Sequence, residues 1–164
     1  MLHINERRGG KMRTVVALVV GIGISMLGSA VLDHLMKPRD FAPALHKALM
    51  TEPRSAVAPE VMTVLQKAGR ITVYIVDPTA GLVIGIFVGL VQKKHPITLA
   101  LICWLPRCLL DLVSDSARQW ATSLSGVVRY LFDSSLPFIT AFVGVVLAQY
   151  LLTRLSRFSG ETEI

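Results

Sequence analysis

The chain has 164 residues, which is the length of a single domain. Its residues are 52% hydrophobic and only 17% charged, whereas a soluble domain usually carries about 25% charged residues. The net charge of +6 does not indicate a nucleic-acid partner, because the basic residues flank apolar runs and no nucleic-acid-binding motif is present. The composition favours an all-α integral membrane protein whose first partner is the lipid bilayer.

The first apolar run covers residues 14–32 and follows a basic tail, residues 1–13. It contains no charged residue and is long enough to cross about 30 Å of hydrocarbon. A cleaved signal peptide is the alternative interpretation, because the small residues 28–30 resemble a cleavage site. The run continues past that site and further apolar runs follow, so we expect an uncleaved transmembrane helix.

Residues 33–70 form a polar segment with six basic and four acidic residues, divided by four prolines. Two short helices are predicted within it. One begins near Asp40, and the other begins at Pro59 and ends before Gly69. Both are too short to be stable alone, so we expect them to lie on the membrane or on the membrane-spanning helices.

The second and third apolar runs, residues 71–91 and 97–113, are separated only by the turn at 92–96. A connection this short predicts an antiparallel pair of transmembrane helices. The third run is the less certain one of the two, because Pro106 and two charged residues interrupt it.

The second run contains Asp77 followed by Pro78, which is typical of a helix start: the acid caps free N–H groups and the proline suits the first helical position. A helix starting there would be only about 21 Å long at Val91. Two alternatives remain open. Residues 71–76 either continue the span above a proline kink or pack as a separate piece.

Small residues at every fourth position give the second run a flat face formed by Gly81, Gly85 and Gly89. The first run has a related face. It consists of Gly21, Ser25 and either Gly28 or Ser29. Such faces let helices approach closely in lipid. We expect the two faces to be partners, within one chain or between two.

The antiparallel hairpin predicts a polar cluster of Asp77, Arg107 and Asp111. If the turn centres near Lys94, Asp77 lies at the level of Asp111, with Arg107 about one turn deeper. Charged groups at membrane depth are costly and are usually paired. Three interpretations remain open: a structural ion pair, exposure at the membrane interface, and a role in transport or catalysis.

Residues 114–135 have the pattern of an amphipathic helix, with Trp120 and Tyr130 as anchors at the membrane interface. An ordinary external loop helix is the alternative. The fourth apolar run, residues 136–152, is uncharged and precedes a C-terminal tail at 153–164 that begins with two nearby arginines.

The distribution of basic residues predicts the orientation. With four transmembrane helices, the N-terminal tail, the turn after Val91 and the C-terminal tail share one side, and the positive-inside rule makes that side cytoplasmic. The membrane would be the plasma (inner) membrane. The six basic residues of 33–70 weaken this prediction.

The sequence contains no motif for a nucleotide, a catalytic nucleophile or a metal, so no cofactor and no metal site is predicted. Cys103 and Cys108 point to different faces of one helix, so no disulfide is expected between them. Three functional hypotheses follow. The first is a non-enzymatic accessory or assembly subunit, or a homo-oligomer, that acts through helix packing. The second is a small channel or transporter that uses the polar cluster, and the third is an intramembrane enzyme.

Overall fold

A computed structural model describes residues 2–51, 57–113 and 124–160, and within these ranges the chain is helical and contains no strand. The all-α prediction is confirmed. The helices are α1 (Leu2–Gly23), α2 (Ser29–Met36), α3 (Phe41–Leu49), α4 (Pro59–Ile71), α5 (Asp77–Val91), α6 (Pro96–Val113) and α7 (Leu124–Gly160). Among the described residues, three segments are long and apolar enough to cross a membrane by length and composition alone. They are Lys11–Met36, Pro59–Val91 and Leu124–Ser156.

Helices α1 and α2 form one continuous rod through a π turn at Ile24–Gly28. A π turn bonds each N–H to a carbonyl five residues back, so it holds about one residue more than an α-helical turn. Ser29 therefore takes the angular position that Gly28 would occupy in an unbroken α-helix. The structure selects Ser29, which is fully buried.

Helices α4 and α5 are likewise continuous, through a π turn at Thr72–Val76. The alternative in which residues 71–76 continue the span is the correct one, and the expected helix end before Gly69 is wrong. Pro78 lacks an N–H group and its ring crowds the carbonyl four residues back. The wider turn directly before Pro78 accommodates the missing hydrogen bond and the crowded carbonyl without ending the helix.

Asp77 is consequently inside a helical rod rather than at a helix start. The prediction that it caps a helix start is wrong, because the chain before it is already helical. Its carboxylate is directed to neighbouring helices, as described below.

Helix α7 runs without a break from Leu124 to Gly160 and carries Pro137 in its interior. The sequence predicted a boundary between residues 135 and 136, with an interfacial segment on one side and a transmembrane helix on the other. In the structure there is no helix end at this point. Interior prolines are tolerated in apolar helices, and in the turn after Pro137 the Thr140 hydroxyl donates to the carbonyl oxygens of Leu136 and Pro137.

Helices α5 and α7 lie side by side and run in the same direction. Gly81 lies against Pro137, Gly85 against Ala141 and Gly89 against Ala148, so residue numbers rise together along both helices. Gly144 of α7 approaches the backbone of α5 at Leu82 from the other side of the same contact. We call these four glycines the glycine seam. It corrects the expectation that the glycine face of the second run packs on the first run.

Helices α1 and α6 run opposite to α5 and complete the bundle. The Gln92 amide donates to the Thr14 hydroxyl at 2.9 Å at one end, and the Ser29 hydroxyl donates to Asp77 Oδ1 at 3.1 Å at the other. Between these levels Gly21 packs on Cys103, whose thiol lies 3.7 Å from the carbonyl oxygen of Ala17. The core around Trp104 and Ile84 is buried between these helices. We refer to the two ends as the Thr14 end and the Asp77 end.

Candidate functional site

A polar group inside the bundle is formed by Ser29, Asp77 and Arg107, one residue from each of three helices. Asp77 Oδ1 accepts the hydrogen bond from Ser29 Oγ and lies 3.9 Å from Arg107 Nη2. Ser29 is fully buried, and only 16% of the Asp77 side chain and 25% of the Arg107 side chain are exposed. We call this group the polar centre.

Both π turns end directly before a member of the polar centre. One ends at Gly28, before Ser29, and the other at Val76, before Asp77. Each turn adds about one residue and so rotates the following residue toward the partner helix. Without these turns the two side chains would face other directions. Single π turns of this kind are frequent at functional sites.

A second polar layer lies outside the polar centre, toward the helix ends. Asp33 accepts a hydrogen bond from the Thr72 hydroxyl and pairs with Lys37, four residues along its own helix. Lys37 Nζ also lies 4.4 Å from the centre of the Phe41 ring. This layer connects α2 with the Thr72–Val76 turn.

Helix α7 joins this layer through Asp133. Its carboxylate accepts a hydrogen bond from the Tyr74 hydroxyl at 3.0 Å and lies 3.7 Å from Arg129 Nε. The Asp77 end therefore pairs positive with negative side chains on each of the helices that reach it. Paired charges of this kind lower the cost of holding ions close to an apolar environment.

The structure brings together two members of the predicted polar cluster, Asp77 and Arg107. The side chain of the third, Asp111, lies outside the described residues, as does the interfacial anchor Trp120. Tyr130, the other predicted anchor, lies half-buried on α7.

The predicted packing residues lie in three different environments. Gly81, Gly85 and Gly89 belong to the glycine seam, and Gly21 lies against Cys103. Ser25 is buried but bonds to the Ile22 carbonyl of its own helix. A methyl group added at Gly28 would meet only Ile24, four residues earlier on the same rod, among the described residues.

Sequence reasoning missed the hydrogen-bonding role of Ser29 and the contact between Tyr74 and Asp133. Ser29 was considered only as a small packing residue. The available signal was a series of small residues at every fourth position, which consists of Ala17, Gly21, Ser25 and Ser29. The π turns that aim Ser29 and Asp77 leave no comparable pattern in the sequence.

The polar centre can hold three helices in register, and its carboxylate can accept a proton. It is not a metal site by composition. Among the described side chains, no group of three or more His, Cys, Asp or Glu residues is placed to hold a metal ion. The chemistry that the centre offers is thus ion pairing, hydrogen bonding and proton exchange.

Comparison with known proteins finds no family model, no curated protein and no solved structure that matches this chain. The class of protein rests on the structure alone. The described part of the chain is all-helical, with three helices suited by length and composition to a membrane, which is compatible with a membrane location.

Proposed function

We propose that the chain is a polytopic integral membrane protein with four transmembrane helices and both termini in the cytoplasm, at the plasma (inner) membrane. We propose further that it is not an enzyme and acts through helix packing, as an accessory or assembly subunit or as a homo-oligomer. The observation that carries this proposal is the division of α1 into a buried small-residue face and an exposed apolar face.

The parallel direction of α5 and α7 supports four crossings. If both helices cross a membrane, the chain must return to the Asp77 end between Val91 and Leu124. Helix α6 runs in that direction and its 18 residues are about 27 Å long, which is close to the thickness of the hydrocarbon layer. The interfacial position of residues 124–135 belongs to the same proposal, since Leu124, Val128 and Leu131 expose apolar side chains there.

The orientation is supported by the two ends of the bundle. At the Thr14 end the exposed cations lie away from any described carboxylate, whereas Lys37, Arg107 and Arg129 at the other end have acidic partners. The Thr14 end therefore carries the stronger net positive field, which favours its placement against the anionic cytoplasmic leaflet.

Helix α1 supports association with another protein chain. Its buried face consists of Ala17, Gly21, Ser25 and Ser29. On the opposite side Val19 is 65% exposed, and Leu27 and Leu35 are each 71% exposed. Because the glycine seam is occupied within the chain, this α1 ridge is the surface that we propose for contact with a second membrane helix.

Disulfide trapping tests the proposal. We would replace Cys103 and Cys108 by alanine, introduce Leu27→Cys on the α1 ridge, and oxidise native membranes. We expect a cross-linked homodimer, or one defined heteromeric product identified by mass spectrometry. Phe142→Cys on the exposed side of α7 is the matched control and should give no such product. Equal cross-linking at both positions, or none at Leu27→Cys, would overturn the proposal.

A channel or transporter is the second candidate, and the polar centre is the observation that favours it. A carboxylate paired with an arginine between two π turns can change partners when a proton or ion arrives. Ion flux into liposomes that contain the purified protein tests this candidate. Flux that is lost in Asp77→Asn, while the protein stays folded, would support it, and the absence of flux under proton, sodium or potassium gradients would exclude those ions.

A further inference from the structure

The Thr14 end gathers exposed cations from three separate parts of the chain. Lys11 and Arg13 belong to α1, Lys93 and Lys94 to the turn after α5, and Arg154 to α7. All five side chains are exposed. We call them the basic collar.

Two hydrogen bonds between helices hold the parts of the collar together. The bond from Gln92 Nε2 to Thr14 Oγ1, 2.9 Å long, joins the segment that carries Lys93 to the segment that carries Arg13. The bond from Gln149 Nε2 to the Gly89 carbonyl, 2.6 Å long, fixes α7 at the same level. The collar is therefore a structured surface on the folded bundle.

Arg154 is oriented by an aromatic ring. Its guanidinium lies 5.4 Å from the centre of the Tyr150 ring, a separation at which a cation is attracted to the ring face. Aromatic residues beside arginines are typical of the level of lipid headgroups. The arginine is in this way held at the height where a headgroup would lie.

The described acidic side chains all lie elsewhere. They are Asp33, Asp40, Glu60, Asp77 and Asp133. Three of them line the Asp77 end. On that same side Asp40 precedes α3, and Glu60 lies in the first turn of α4. Ser29 and Thr14 are 15 residues apart on one rod, which is about 22 Å. At that separation the acids are beyond about two Debye lengths at physiological salt and barely offset the collar.

We propose that the basic collar is a binding surface for anionic phospholipid headgroups of the membrane leaflet at the Thr14 end. Phosphate oxygens are good partners for lysine and arginine, and α6 begins at Pro96, so the positive end of its dipole adds to the same field. This inference rests on the proposed membrane location. Membrane retention after a carbonate wash tests that location separately, so the two can fail independently.

Native mass spectrometry tests the collar. The purified full chain is equilibrated in micelles with equal amounts of phosphatidylglycerol and phosphatidylcholine, and the ratio of bound lipids is measured. We expect a preference for phosphatidylglycerol that falls about fivefold for each cation removed in Lys93→Gln and Lys94→Gln. The preference should also weaken as salt is raised.

The matched control is the pair Arg39→Gln and Lys47→Gln, which removes the same charge from exposed positions on the opposite side. It should leave the lipid ratio unchanged. A ratio that is unaffected by the collar variant, or that falls equally in the control, would overturn the proposal. Lys93 and Lys94 are exposed in the turn after α5, so loss of folding is not expected to obscure the result.

Discussion

Helix α5 contacts α7 backbone to backbone, whereas α1 contacts its neighbours through small side chains and a few hydrogen bonds. In the glycine seam a methyl group added at Gly85 would overlap the carbonyl of Ala141. At α1 a methyl group added at Gly21 would overlap the side chain of Cys103 and no neighbouring backbone. The first contact depends on backbone shape, and the second depends on the side-chain contact with Cys103 and on the bonds from Ser29 and Gln92. The difference indicates a rigid pair, α5 and α7, to which α1 is attached at defined points.

The largest effect is expected in the glycine seam. Gly85→Leu should prevent accumulation of the folded protein, and Gly85→Ala should lower the free energy of unfolding by about 2 kcal/mol or more, because the rigid backbone of Ala141 cannot move aside cheaply. Denaturation by SDS in mixed micelles measures the second effect. Gly23→Ala is the control and should be neutral or slightly stabilising. Equal destabilisation by Gly85→Ala and Gly23→Ala would show that the close approach of α5 and α7 at the glycine seam is absent.

The next largest effect is expected at the polar centre. Arg107→Glu places a second acid beside Asp77 and leaves both charges partly buried, so accumulation should fall strongly. Adding Asp77→Arg restores opposite charges at the two positions and should recover part of the protein. The measurement is the amount of protein in the membrane by quantitative immunoblot. Normal accumulation of the Arg107→Glu variant alone would show that the pair of Asp77 and Arg107 does not hold α5 and α6 together.

A smaller effect is expected where α1 crosses α6. A methyl group at Gly21 would overlap the Cys103 sulfur, so Gly21→Ala should destabilise the bundle by about 1–2 kcal/mol. Cys103→Ala removes the obstacle and should rescue the double variant. SDS denaturation of the four proteins in this cycle gives the coupling energy. Additive effects of the two changes would mean that the close contact is absent.

The smallest effect is expected for Ser29→Ala, which removes one hydrogen bond to Asp77. Hydrogen bonds between helices in membranes average about 0.6 kcal/mol, so the change should be close to that value. Ser25→Ala is the matched control, because its hydroxyl bonds within its own helix. A loss of several kcal/mol of unfolding free energy in Ser29→Ala would show that the polar centre contributes far more to stability than one hydrogen bond between helices.

Part of this architecture follows from the sequence, and part depends on contacts that no local pattern encodes. The spacing of Gly81, Gly85 and Gly89 correctly indicated a close helix approach, but its partner could not be chosen, since other runs also carry small residues. The short turn at 92–96 predicted that Asp77 lies near Arg107, because the depth of a residue in each helix can be counted from a short connection. The use of Asp77 as a helix cap was wrong, because the π turn that keeps the rod continuous is stabilised by the neighbouring helices.

The measurement that tests the account most directly is the side of the membrane on which three positions lie. Lys11→Cys, Lys47→Cys and Arg154→Cys would be introduced one at a time, with Cys103 and Cys108 replaced by alanine. Each would be labelled in intact cells with an impermeant maleimide. Four crossings with cytoplasmic termini predict labelling at position 47 only. Labelling at 154 with protection at 11 would mean that α6 does not cross, and labelling at both 11 and 154 would contradict the orientation.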